Sequence, residues 1–215
     1  MQREPYFTPG TIQAVARAML EPLAPLHARH ADQVFMPDRA ALLVLDMQDY
    51  FLEPASHAFI PAAPAILPNI TKLIQSFSSS HRPIIFTRHL NTPADAGGMS
   101  RWWRDLLHPD SPLSRISSAL DSSSGIHIEK GQYDAFHGTQ LEQVLRSRDV
   151  EQLVITGVMT HLCCETTARA AFMRGFAVFF CVDGTATYNR DFHQASLLNL
   201  AHGFALPILV EELRF

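Results

Sequence analysis

Short apolar runs alternate with stretches of helical periodicity along most of this chain. Residues 40–45 read Ala-Ala-Leu-Leu-Val-Leu, a continuous apolar run that ends at Asp46. Comparable runs occur at 83–87, 126–128, 152–156, 177–182 and 205–210. Between them, apolar positions recur at helical spacing over 64–78, 138–148, 160–174 and 190–202. A strand that is apolar on both faces must be covered on both faces, so the alternation predicts a parallel sheet between two layers of helix. The expected fold is α/β: a three-layer, doubly wound domain with a six-stranded parallel sheet. A length of 215 residues suits one such domain over 1–215.

Two regions depart from the rhythm. Residues 9–23 predict an amphipathic helix within an N-terminal helical extension, 1–38, that packs on the domain or on a partner subunit. Residues 91–125 form an insertion with Pro93, Gly97, Gly98, Trp102, Trp103, Pro109, Pro112 and a Ser122-Ser123-Ser124-Gly125 loop. An insertion this long in an α/β domain is commonly a lid or binding loop. Arg101 and Arg104 flank its aromatic pair, which favours a lid over a solvated connection.

Composition narrows the partners. A formal charge of -4 gives no reason to expect nucleic acid or an anionic membrane. No uncharged apolar stretch approaches the length of a membrane span. The N-terminus lacks a basic stretch followed by an apolar run, so no signal peptide is expected. Three cysteines, two of them adjacent, make a poor disulfide framework. These features predict a soluble cytoplasmic protein.

In an open α/β sheet, ligands collect beyond the carboxyl ends of the strands, near the point where strand order reverses. Asp46 follows the first predicted strand, Lys130 the third and Cys163 the fourth. Together they supply a base, a cation and a nucleophile to one crevice. Thr160 reads as an N-cap that places Cys163 in a first helical turn, where unpaired N–H groups and the helix dipole lower a thiol pKa. The competing reading of Cys163 and Cys164 is as two small residues packing a helix on a sheet. No Gly-x-Gly-x-x-Gly follows the first strand, which argues against dinucleotide binding.

Three blocks, in order, carry a family resemblance. They are Asp46-Met47-Gln48-Asp49-Tyr50-Phe51 behind the first strand, Glu129-Lys130-Gly131-Gln132-Tyr133-Asp134-Ala135-Phe136, and the segment from Ile155 through Cys163 to Ala168. The chain resembles the isochorismatase-like hydrolase (cysteine hydrolase) superfamily over about 39–213. The resemblance implies a triad of Asp46, Lys130 and Cys163 and a cis peptide between Val158 and Met159. It also implies an oxyanion hole built from the N–H groups of Met159 and Cys163. The implied reaction is hydrolysis of a C–N bond in a small amide or ureido compound through a thioester.

Two branches of the superfamily pull elsewhere. True isochorismatases cleave a vinyl ether to release pyruvate; their first block looks like this one, yet they generally carry glycine in place of Cys163 and tyrosine in place of Met159. Nicotinamidases bind a metal through an Asp-x-His pair after the second strand, where this chain reads Thr87-Arg88-His89-Leu90-Asn91. His57, His108 and His137 also lack metal-ligand spacing, so no metal, no cofactor and no preference for nicotinamide are expected. A non-catalytic binding member is the remaining alternative, opposed by the intact triad. Arg88, Trp102, Arg104, Tyr133 and His161 are the candidate substrate contacts, and the resemblance implies a homo-oligomer.

Overall fold

The computed structural model describes residues 2–103 and 105–215. Its centre is a six-stranded, all-parallel sheet in the order β3-β2-β1-β4-β5-β6. The strands are β1 (Ala40–Leu45), β2 (Ile84–His89), β3 (Ile126–Lys130), β4 (Gln152–Val158), β5 (Ala177–Ala186) and β6 (Leu206–Ile208). The helices are α1 (Ile12–Leu20), α2 (Ala24–His27), α3 (Asp49–Leu52), α4 (Ala63–Ser79), α5 (Met99–Trp102), α6 (Leu141–Arg146), α7 (Glu165–Met173) and α8 (Arg190–Gly203). Helix α4 packs along β1, β4 and β5, while α7 lies against β5 and α8 against β6. The apolar central strands are fully buried, as a parallel sheet covered on both faces requires. Among the described residues no helix is long and apolar enough to cross a membrane.

The N-terminal helix packs on its own domain. Helix α1 buries Ile12, Ala16 and Met19 and lies against β5. Most predicted elements stand within a few residues of their expected places, but the strands next to the crevice run longer. β2 continues through Arg88 and His89, and β3 through Glu129 and Lys130, so polar ends that read as loop are paired in the sheet. The helix expected over 160–174 starts differently. Thr160–Cys164 forms a wide π-helical turn, α7 begins only at Glu165, and Thr160 makes no capping bond.

Strand order reverses between β1 and β4, whose register sets Leu45 beside Gly157. Gly157 has φ of +108°, and a Cβ there would stand 2.0 Å from the Leu45 carbonyl oxygen. Only glycine lets the two backbones meet at this height, immediately before Asp46 on one strand and the Cys163 turn on the other. The β4–β5 pairing also shifts register between Ile155 and Gly157, an irregularity of the kind that clusters at sites.

Gly157→Ala should therefore destabilise the fold by about 2–4 kcal/mol, since it adds a backbone clash to an unfavourable φ. Gly175, with φ of +82° and no neighbour around a Cβ, should cost only about 1 kcal/mol on the same change. Urea denaturation of the two variants checks the difference; equal losses would remove the close-approach argument.

Candidate active site

Asp46, Lys130 and Cys163 converge beyond the carboxyl ends of β1, β3 and β4. Lys130 Nζ lies 2.8 Å from Asp46 Oδ2, 3.3 Å from Cys163 Sγ and 3.0 Å from the Gln132 carbonyl oxygen. Thr87 donates its hydroxyl to Asp46 Oδ1 at 2.6 Å and accepts the Asp46 N–H at 3.1 Å. Asp46 holds φ of +52°, a left-handed conformation that aspartate tolerates better than most residues and that often marks a functional position. The Val158–Met159 peptide is cis.

Alternation along the strands decides which side chains reach this cluster. His89 and Lys130 are register partners and meet on one face, with Lys130 Nζ 3.4 Å from His89 Nδ1. Arg88 and Glu129 are the next pair back, point to the other face and form an ion pair with each other. Gln48 ties the layers together, accepting the His89 N–H at 2.8 Å and donating to the Ser114 carbonyl oxygen at 2.8 Å. That last bond anchors the 91–125 insertion to the end of β1.

Burial sets the charge states. Burial alone would raise the Asp46 pKa, but the Lys130 ammonium beside it, helped by a hydrogen bond from Cys163, holds the carboxyl below its ordinary value. Burial would lower Lys130, yet Asp46 and the Cys163 sulfur keep it above its ordinary value. Cys163 goes the opposite way from the sequence expectation: burial pushes its thiol up to about 12 despite Lys130. A thiolate would add a second buried anion to a carboxylate that already neutralises the one ammonium, so the resting cluster is carboxylate, ammonium and neutral thiol.

The side-chain donors of Asp46, His89 and Cys163 lie within 4.8 Å of one another, a spacing that could in principle hold a metal. The space among them is already taken by the Lys130 ammonium, which stands 2.8 Å from Asp46 Oδ2, 3.4 Å from His89 Nδ1 and 3.3 Å from Cys163 Sγ. A metal there would have to displace a buried cation and take a proton from the thiol as well. These residues do not fit a resident metal.

A cavity of about 330 Å³ opens above Cys163. Its walls are mainly aromatic and aliphatic, with Tyr50, Phe51, Trp103, Tyr133, Tyr188 and Leu107 prominent. The insertion supplies one side, and Trp103 Nε1–H donates to the Tyr133 hydroxyl at 2.7 Å.

The comparisons with known proteins agree with this architecture. A family model described as the isochorismatase domain matches residues 40–212. The chain belongs to the isochorismatase family. It is 39% identical over 180 residues to Nicotinamidase 3 of Arabidopsis thaliana, covering 81% of this chain and 87% of that one. It is 32% identical over 185 residues to enterobactin synthase component B of Escherichia coli (strain K12), covering 85% of this chain and 65% of the other. A cysteine hydrolase structure from Pseudomonas syringae pv. phaseolicola 1448A superposes with a TM-score of 0.79 at 29% identity, covering 83% and 92% of the two chains. Family members of this kind are hydrolases, and this chain is one.

Several substrate-contact expectations need correction. Arg88 is turned from the cavity by strand phase and paired to Glu129. Trp102 is 79% exposed, and its neighbour Trp103 is the tryptophan in the cavity wall. His161 stacks on Phe192 at 4.4 Å and binds the Thr187 hydroxyl at 2.6 Å, outside the cavity lining. Tyr133 does line the cavity, and Arg104 falls outside the described residues. The sequence reading overlooked His89 as a neighbour of Lys130, Thr87 as the anchor of Asp46, and Arg3, Tyr50 and Tyr188 in the cavity lining. Strand periodicity carried through Lys130 would have found His89.

Two outcomes follow from these charges. Removal of divalent metals with EDTA and gel filtration should leave turnover unchanged; loss that added zinc or manganese restores would place a metal in the site. Burial, with Lys130 adding to it at His89, keeps His89 and His161 neutral down to about 4 and His193 down to about 3. In the unfolded chain these histidines titrate near 6.5, so on acidification the unfolded state binds protons first and the native state loses stability. Urea titrations between about pH 7.5 and 4.5 should show stability level above about 6.5 and falling below it. A level profile throughout would contradict the neutral assignments.

Proposed function

We propose that this protein is a cysteine-dependent amidohydrolase that cleaves the C–N bond of a small, planar amide or ureido compound through a thioester. The observation that carries the reading is Cys163 at the floor of an apolar-walled cavity, in contact with a buried Asp46–Lys130 pair. As Cys163 Sγ attacks the carbonyl carbon, its proton passes to Asp46, and Lys130 balances the negative charge crossing from carboxylate to sulfur. The N–H groups of Met159 and Cys163 receive the oxyanion. Collapse of the tetrahedral adduct expels ammonia or an amine that takes the proton from Asp46. Asp46 then removes a proton from water, which attacks the thioester carbonyl, and the carboxylate product leaves as the thiol is restored.

A thiol has no part in protonating a vinyl ether, which sets the amide reading above isochorismatase activity. The similarity to a protein named isochorismatase from Bacillus subtilis (strain 168), 29% identical over 180 residues, keeps isochorismate on the assay panel, with pyruvate as the readout. The expectation against nicotinamide rested on the missing Asp-x-His pair in the segment 87–91. A metal-free thiol mechanism accepts a planar carboxamide equally well, and the similarity to Nicotinamidase 3 puts nicotinamide on the panel too.

On an amide that the wild type hydrolyses, Cys163→Ala should lower kcat by about a thousandfold or more while circular dichroism stays native. Rapid quench of the wild type should give a Cys163 adduct with the mass of the acyl group. Undiminished turnover by Cys163→Ala would end the covalent mechanism.

A further inference from the structure

The N-terminal strap, residues 2–8, runs over the rim of the cavity and is fixed there by several independent contacts. The Glu4 N–H donates to the Tyr188 carbonyl oxygen at 2.8 Å, and its carboxylate accepts the Arg190 N–H at 2.7 Å. The Tyr6 hydroxyl accepts the Thr187 N–H at 3.0 Å and sits 2.9 Å from His193 Nδ1. Phe7 is buried in the core. The strap lies outside residues 40–212, the part that the family model matches.

Between these anchors and the rim stands Arg3, which lines the same cavity as Cys163. Its guanidinium lies 4.3 Å over the Tyr188 ring, and it donates to the Phe59 carbonyl oxygen at 3.3 Å and the Tyr188 hydroxyl at 3.5 Å. Among the described residues these bonds leave further N–H donors of the fork unused. Asp105, on the same rim, faces His57 at 3.6 Å. Arg3 thus offers a cation whose plane is set in advance by the tyrosine, so a ligand that meets it loses little side-chain freedom.

We propose that Arg3 is a specificity-determining residue that binds a carboxylate carried by the substrate at the end remote from the scissile amide. The inference rests on the amidohydrolase reading only for the position of the amide at Cys163. An apolar, aromatic-walled body, a carbonyl at Cys163 and an anionic group at Arg3 define the ligand: a planar amide bearing a carboxylate. This places an arginine contact to the substrate on the strap, where the sequence offered Arg88 as a candidate contact.

The test measures binding of 4-carbamoylbenzoate and of benzamide to the Cys163→Ala protein by calorimetry, with Arg3 intact, as Arg3→Gln and as Arg3→Lys. With Arg3, 4-carbamoylbenzoate should bind about tenfold tighter than benzamide, the low end for a charge-assisted contact at an open rim. Arg3→Gln should abolish that preference and leave benzamide binding unchanged; Arg3→Lys should keep part of it. A merely structural role for Arg3 would weaken both probes alike. The proposal is overturned by equal binding of the two probes to the Arg3 protein, by a preference that survives Arg3→Gln, or by no binding of the carboxylated amide. Arg3-dependent binding in a protein whose wild type hydrolyses no amide would sink the amidohydrolase reading and leave the carboxylate site standing.

Discussion

A carboxylate and an ammonium taken out of water each lose several kcal/mol of hydration, and only close pairing with further hydrogen bonds offsets that loss. Asp46 and Lys130 approach to 2.8 Å; the Thr87 hydroxyl bonds Asp46 Oδ1 and the Gln132 carbonyl accepts from Lys130, while Asp46 Oδ2 relies on the ammonium's charge without a hydrogen bond. Much of the site follows from that pair. Because its charges cancel, the neighbouring thiol cannot ionise without leaving a net buried anion, so Cys163 rests protonated with its base already beside it. The same ammonium occupies the point where Asp46, His89 and Cys163 converge. One buried cation therefore balances the charge of the cluster and occupies the space among its three donors.

The sheet order explains how residues so far apart in sequence meet. β1 and β4 are neighbours at the reversal point, and β3 lies two strands from β1, so Lys130 must cross over the end of β2 to reach Asp46. That path fixes β2's contribution. Thr87 and His89 share the face that Lys130 crosses, and Arg88 cannot. Gly157 makes the arrangement possible by letting β4 close on β1 just below the reacting groups.

Much of this was legible in the sequence, and what was missed has physical causes. Buried parallel strands are apolar on both faces, so β1, β4 and β5 stand out, and the residues that follow them point to the crevice. The ends of β2 and β3 did not stand out because their last residues are polar, which marks a site as well as it marks a loop. Strand phase, once those ends are recognised, moves the candidate from Arg88 to His89. The choice between Trp102 and Trp103 was beyond periodicity, because α5 is a single turn in an irregular insertion. For the thiol, the sequence pattern implies a regular helix start, where the dipole favours a thiolate. In the π-helical turn Thr160–Cys164, burial beside a neutralised ion pair outweighs that effect.

Chemistry and recognition are thus built from different parts of the chain. The reacting groups sit on strand ends whose positions the sheet dictates, within the segment that the family model covers. The walls and rim come from the 91–125 insertion, the loops after β1 and β5, and the N-terminal strap. Loops and termini can change without disturbing the sheet, whereas a shift in Asp46 or Lys130 would strand a buried charge. This division gives a physical reason why relatives named for a nicotinamidase and for an enterobactin synthase component can share one core. In this chain it directs the search for the substrate to the rim, where Arg3, Tyr188 and Trp103 are the residues that a neighbouring sequence is freest to replace.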